Sequence, residues 1–381
     1  MRTFDVAVVG AGLAGLHAAR AAARRGLSVL LFDRKKRLDA SIHTTGIFVR
    51  KTLDDFSLSE DCLGPPVRRV RLLGPSLTGI TLVSPRDEFR VGKMGRLYVQ
   101  LADDARRCGV TVLLGARYLG SSASGSVTVI RIETEGRIEH VRARFVLAAD
   151  GAVSRVAEDL GLDGNREWIA GVEDVYAARG GRRAPEFTCV LDPVLAPGYL
   201  AWVVDDGQEI HVGVGGYAAR FDPKAALAAF TERIAESVSV PLDGAVRLER
   251  RGGLIPVGGV HARIASDRGA LLGDAAGAPS PLTAGGLDPC LRLSEAAADA
   301  CWRHLNGERG ALAALDGSRF RARFTSRLAM RRALSLVRHR PVAEALVTAL
   351  RLPLLRSFAA HVFFGNGSFP EPGHSAFSYK I

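Results

Sequence analysis

The stretch Phe4–Val9 runs directly into Gly10-Ala11-Gly12-Leu13-Ala14-Gly15, and few folds can follow such a junction. A helical apolar pattern covers Ala14–Arg25 and closes at Gly26, and a second apolar strand, Ser28–Phe32, ends at Asp33. Strand, glycine turn, helix and strand in that order make a βαβ unit with a right-handed crossover. Gly10 permits the tight turn, Gly12 lets backbone approach a pyrophosphate, and Gly15 lets the helix pack closely on the strand. The helix N-terminus offers free N–H groups and a positive dipole end to phosphates. Asp33 follows about 20 residues on, where a carboxylate accepts ribose hydroxyls. The unit reads as a dinucleotide site, the alternative being a glycine-tolerant turn that binds nothing.

Downstream the pattern changes. Residues 67–92 read as short strands broken at Gly74-Pro75 and Ser84-Pro85, before a helix from about Gly95 to Cys108 and a strand Val110–Leu114. Residues 126–147 alternate around Glu135-Gly136 and end in the apolar run Phe145–Ala149. A strand pair, Leu200–Val204 and Ile210–Val214, is joined across Asp205-Asp206-Gly207. Asp222-Pro223 begins a helix expected to reach about Val238. After about residue 310 the chain reads as almost entirely helical, up to a Gly/Pro-rich tail from Gly365. We therefore expect a discontinuous nucleotide domain at 1–65, 93–165 and 255–310. A β-rich substrate domain is expected at 66–92 and 166–254, and a helical C-terminal segment at 311–381.

Two further motifs stand out. Asp150-Gly151-Ala152-Val153-Ser154-Arg155 follows the strand Phe145–Ala149, and alone it reads as a turn and an N-cap. Gly273-Asp274-Ala275-Ala276-Gly277 follows the short strand Ala270–Leu272 and continues through Pro281 to Gly285-Gly286. The three motifs, in this order and at these separations, resemble the aromatic hydroxylase superfamily of FAD-dependent oxidoreductases over most of residues 1–300. The resemblance implies an α/β fold: a glutathione-reductase-like FAD-binding Rossmann domain, an inserted antiparallel β-sheet substrate domain and a helical C-terminal segment. It implies that Gly10, Gly12, Leu13, Ala14, Gly15, Asp33 and Arg34 hold the ADP half of FAD, with Asp150 supporting the pyrophosphate region. Gly273 and Asp274 then bind the ribityl chain, and Pro281, Gly285, Gly286 and Leu287 lie beside the flavin ring. Arg96 matches an arginine that contacts the diphosphate in this class, or is a solvated arginine at a helix start. Gly46 lets backbone approach the ring.

Within that class, Tyr199-Leu200-Ala201-Trp202-Val203-Val204 followed by Gly213-Val214-Gly215 resembles the geranylgeranyl reductase family, as does the Gly273–Gly286 stretch with its Pro281-Leu282-Thr283. This implies reduction of C=C bonds of an isoprenoid or other apolar substrate by hydride transfer from reduced flavin N5. Tyr199, Trp202, Gly213 and Gly215 then line the substrate slot, unless Trp202 is only a core side chain. The chain departs from the pattern in three places. The aromatic sits one position early, Val204-Asp205 replaces Phe-Pro, and the loop Ser41–Gly46 lacks the family's cysteine near the flavin. His43 in that loop is the candidate proton donor, an imidazole titrating near neutrality, or is merely an exposed side chain.

The alternative is an NAD(P)H-dependent flavin monooxygenase acting on an aromatic or polyketide-like substrate, because the same motifs serve both chemistries. A non-catalytic flavin electron-transfer protein is a third reading. Halogenase is disfavoured, since Trp168, Trp202 and Trp302 are isolated. Only one glycine fingerprint is present and no CxxC pair, so reducing equivalents should come from transient NAD(P)H or from a reduced electron-donor protein.

The net charge of +11 is nearly all arginine, and we attribute it to composition, without a nucleic-acid partner. Five scattered cysteines indicate reduced thiols and no metal site. No secretory pattern opens the chain, so a cytoplasmic location is expected. Arginines from Arg319 to Arg340 interleave with apolar residues, and apolar runs follow at Leu346–Leu355 and Phe358–Phe364. Such helices lie on anionic lipid, or pack on the body with their arginines solvated. The sequence leaves the oligomeric state open.

Overall fold

The computed structural model describes residues 2–178, 184–237, 242 and 244–365. The expected helix end at Val238 and the tail beyond Gly365 lie outside the described residues. The strands Gly269–Leu271, Arg137–Ala148, Thr3–Val9, Val29–Asp33 and Thr111–Leu114 lie side by side in that order, all parallel. The apolar runs of all but the edge strand Thr111–Leu114 are buried, as the inner strands of parallel sheets require. The helix Leu13–Arg24 buries every residue from Leu13 to Ala22, its alanines letting it lie close to the sheet. The helix Leu287–Leu305 packs on it, and Ser294 Oγ donates to the Ala14 carbonyl at 3.1 Å.

Register positions the site. Val9 pairs with Ala148 and with Phe32, and Ala148 pairs with Leu271. Three strands far apart in sequence thus end level. The residues just beyond them (Gly10, Asp150, Gly273 and Asp274), together with Asp33 at the end of its own strand, emerge on the carboxyl edge, where open α/β sheets bind ligands.

The second sheet has seven strands, ordered Arg247–Pro256, Trp168–Ala177, Glu209–Gly216, Ala201–Asp205, Glu186–Val190, Arg69–Leu73 and Gly79–Val83. It is not purely antiparallel as expected, because Glu186–Val190 runs parallel to Arg69–Leu73. The chain donates the hairpin 69–83 before entering the helix Met94–Arg107 and returns to this sheet only at Trp168, so no hairpin connects that pair. The helix Pro223–Ser237 covers one face with Leu227, Phe230 and Ile234, and Asp222 caps it through the N–H groups of Lys224 and Ala225. A small sheet of Ile47–Val49, Phe89–Gly92 and Leu63–Val67 completes the strands described in this part of the chain.

Among the described residues the C-terminal segment holds a 3-10 helix, Ala311–Leu315, and four short α-helices, Gly317–Ala322, Thr325–Leu336, Arg340–Ala349 and Pro353–Phe364. Prolines in the first turns of the last two force new starts, and those two meet at 97°. Among the described residues no single helix is long and apolar enough to cross a membrane.

Candidate active site

The three fingerprint glycines have different surroundings. A Cβ on Gly10, at φ +102°, would fall 2.3 Å from the Ala149 carbonyl oxygen, and one on Gly15 would fall 1.8 Å from that of Gly10. Both positions are closed by backbone. A Cβ on Gly12 meets nothing within 4 Å, so the loop fronts open space where the helix Leu13–Arg24 presents its free N–H groups. Asp33 steadies the loop, accepting from the Ala11 N–H at 2.7 Å and the Lys35 N–H at 2.7 Å. Arg34 is exposed.

The other two motifs close on the first. Gly273, at φ +52°, would bring a Cβ to 3.2 Å from that of Ala14. Asp150 takes Ser154 Oγ at 2.7 Å and the N–H groups of Arg155 and Val156, so its carboxylate braces the Asp-Gly turn from within. Burial raises its pKa against those hydrogen bonds. Asn165 was not anticipated. Its amide donates to the carbonyls of Ala152 at 2.9 Å and Asp274 at 2.8 Å, clamping the second motif to the third. The half-buried Asp274 carboxylate has no hydrogen-bond partner among the described residues, and burial lifts its pKa to about 6. Gly286 opens the helix Leu287–Leu305, and Pro281 is buried in the turn before it, which holds Ala284 at φ +52°. Gly285 is exposed, and its carbonyl accepts the Ser280 N–H at 3.0 Å.

Arg96, exposed, pairs with Asp61 at 3.1 Å. His43, also exposed, has Nδ1 3.0 Å from the Gly252 carbonyl. Gly46, at φ +83°, is buried against Met94, where a Cβ would clash at 2.6 Å.

On the seven-stranded sheet Trp202 lies across Gly213, where a Cβ would sit 2.3 Å from the indole, and Tyr199 lies against Gly215 at 2.8 Å by the same measure. The two glycines thus back the rings and do not themselves line a slot. The rings meet edge to face at 6.4 Å, and Tyr199 Oη donates to the Thr283 carbonyl at 2.7 Å, joining this wall to the turn before Gly285.

Beneath the wall is a buried polar network. Glu173 Oε2 accepts from Trp202 Nε1 at 2.9 Å and from Thr45 Oγ1 at 2.5 Å, while Oε1 lies 3.2 Å from His211 Nδ1. Arg251 stands 3.7 Å from Glu173 and donates to the Thr44 carbonyl at 3.1 Å. Burial alone would depress His211, but the carboxylates of Glu173 and Glu209 prevail and raise it to about 9. Burial pushes Glu173 up, and the charge and hydrogen bond of His211, with Thr45 and Trp202, bring it below the usual range. The loop 41–46 is therefore tied to the wall by hydrogen bonds, from the Thr45 hydroxyl to Glu173 and from Arg251 to the Thr44 carbonyl. Glu173, His211 and Arg251 escaped the sequence reading because charged residues on a strand normally signal its solvent face.

FAD suits these residues. The space before Gly12 and the helix N–H groups match a pyrophosphate, and the unpartnered Asp274 carboxylate matches ribityl hydroxyls. Residues 5–72 match the family model for FAD dependent oxidoreductases, and residues 93–190 match an FAD binding domain. The chain is 32% identical to digeranylgeranylglycerophospholipid reductase 1 of Methanopyrus kandleri, over 76% of this chain and 77% of that one. The solved geranylgeranyl bacteriochlorophyll reductase-like protein of Thermoplasma acidophilum superposes with TM-score 0.84 at 22% identity, covering 97% and 98% of the two chains. A p-nitrophenol 4-monooxygenase of Pseudomonas putida gives TM-score 0.73 at 19% identity, covering 96% and 99%.

Proposed function

Since the chain belongs to the geranylgeranyl reductase family of FAD-dependent oxidoreductases, we propose that it saturates C=C bonds of an isoprenoid lipid. The observation that carries this reading is the Tyr199–Trp202 wall, pinned from behind by Glu173 and from the side by Thr283. A rigid aromatic face beside the ring-facing turn is what a flat, apolar alkene needs for alignment. The monooxygenase likeness concerns the fold alone.

Gly10–Gly15 and the helix behind it would hold the pyrophosphate, Asp33 the adenosine ribose and Asp274 the ribityl chain. Pro281 to Leu287 would lie beside the ring. When bound and reduced, FAD supplies the hydride. The residues of this chain exclude water with the Tyr199–Trp202 wall and position the alkene on it. As the imidazolium, His43 would donate Nδ1–H to the Gly252 carbonyl and give its Nε2 proton to the second carbon, solvent restoring that proton afterwards. Reducing equivalents come from NAD(P)H visiting the site, or from a donor protein.

The exposed apolar side chains Leu352, Leu354 and Phe358, flanked by Arg351 and Arg356, support peripheral contact with an anionic membrane. The test of function is anaerobic photoreduction of the holoprotein, followed by a geranylgeranyl lipid. Reoxidation with two hydrogens gained per double bond is expected. Reoxidation by oxygen alone, with an aromatic compound gaining an oxygen atom, would establish the monooxygenase instead.

A further inference from the structure

We propose that a cavity behind Tyr199 binds the phosphate head of an amphiphilic substrate, with Arg331 as its buried anchor. Arg331, on the helix Thr325–Leu336, is 2% exposed, and its Nε, Nη1 and Nη2 have no hydrogen-bond partner. Its guanidinium lies between two aromatic rings, 5.5 Å from the centre of Tyr199 and 5.0 Å from that of Tyr217. Ring faces compensate a cation only in part, and five N–H donors are left without an acceptor. Burial of an unpaired charge is costly, and an acceptor-rich anion removes that cost.

The surroundings define the ligand. Arg331 borders a cavity of about 540 Å³ that Arg166, Arg321 and Arg332 also line, with one acid, Glu167. Arg321 is engaged by the Gly258 carbonyl at 2.8 Å, whereas Arg166 and Arg332 have no ion pair among the described residues. Apolar side chains, Trp168, Leu254, Val257 and Leu328, share the lining with them. Arginines at one place and an apolar wall beside them fit a phosphate carried on a hydrocarbon, since guanidinium forks match phosphate oxygens. The arginine nitrogens are shielded from solvent, so the anion reaches them by displacing Tyr217, the less buried of the two rings.

Tyr199 links the cavity to the active site. One part of its ring meets Arg331, another meets Trp202, and its hydroxyl bonds Thr283. A head held at Arg331 therefore sets where along the chain the double bond meets the wall. That last step rests on the reductase reading, while the anion site does not.

The test measures equilibrium binding to oxidised holoprotein of geranylgeranyl diphosphate, geranylgeraniol, inorganic pyrophosphate and phosphatidylglycerol vesicles. The diphosphate should bind at least tenfold tighter than the alcohol, pyrophosphate should compete with it, and Arg331→Met should abolish the preference with the flavin spectrum unchanged. Preference for vesicles over the diphosphate, again lost in Arg331→Met, also supports the site and identifies the head as a membrane phosphodiester. Equal binding of alcohol and diphosphate, or a preference kept in Arg331→Met, overturns it. If that variant does not fold, Arg166→Ser/Arg332→Ser decides: unchanged diphosphate affinity overturns the site, and a severalfold loss supports it. Arg331-dependent binding without reoxidation of reduced flavin by prenyl compounds leaves the anion site standing and removes the reductase reading.

Discussion

The indole N–H of Trp202 donates across 2.9 Å to the buried carboxylate of Glu173, coupling the wall aromatic to an ionic network shared by four strands and a loop. Replacing Glu173 by Gln keeps the volume but removes the charge facing His211 and Arg251. Loss of one partner from a buried pair costs about 3 kcal/mol or more. Glu173→Gln should therefore lower the unfolding free energy by that order and reduce turnover at least tenfold, with FAD content retained. Denaturant titration and single-turnover reoxidation measure both.

His211 gives that network a pH dependence. Its folded value, about 9, lies above the ordinary 6.5, so its contribution is fully present below pH 6.5 and is lost as pH rises through 9. Urea midpoints between pH 6.5 and 9.5 should fall more steeply in the parent than in His211→Gln. Parallel curves would remove His211 from the account.

The fingerprint glycines should separate binding from folding. Gly12→Val puts bulk into open space, so stability should change by no more than about 0.5 kcal/mol while flavin is lost. Gly15→Ala presses on the Gly10 carbonyl and should cost about 1–3 kcal/mol by overpacking. Absorbance at 450 nm and thermal unfolding distinguish the two outcomes.

Asp274→Asn should weaken FAD about tenfold to a hundredfold, the range for lost charge-assisted hydrogen bonds. With the carboxyl near 6 before FAD binds, affinity should tighten as pH rises through 6 in the parent, and this step should vanish in the variant. Flavin fluorescence titration across pH 5–8 reads it directly.

Leu354 is 85% exposed and Phe358 52%, on a helix beside Arg351 and Arg356. Leu354→Glu/Phe358→Glu should abolish co-sedimentation with phosphatidylglycerol vesicles, which the parent should show most strongly at low salt. Equal sedimentation of both proteins would place the membrane surface elsewhere.

The parallel core was legible because its signals are local: an apolar strand, glycines at fixed offsets and an acid at the next strand end. The Asp222 cap and the hairpin around Asp205-Asp206-Gly207 were legible for the same reason. Asn165, Glu173, His211 and Arg331 were not. Each acquires its meaning from a partner brought close by sheet register or helix docking, and short-range spacing carries no record of such pairings. The parallel pairing of Glu186–Val190 with Arg69–Leu73 was hidden likewise, since no turn sequence marks a crossover between distant segments.

The level endings of Thr3–Val9, Arg137–Ala148 and Gly269–Leu271 also bear on how the protein is made. The last of these strands, and the Asp274 turn beyond it, leave the ribosome long after the first glycine loop. The cofactor shelf cannot exist on a nascent or truncated chain that stops short of them, so acquisition of yellow colour is a late event in biogenesis. Colour in a cell extract therefore counts molecules whose synthesis ran past the third motif, and a prematurely terminated product stays colourless however well its first domain has begun to fold.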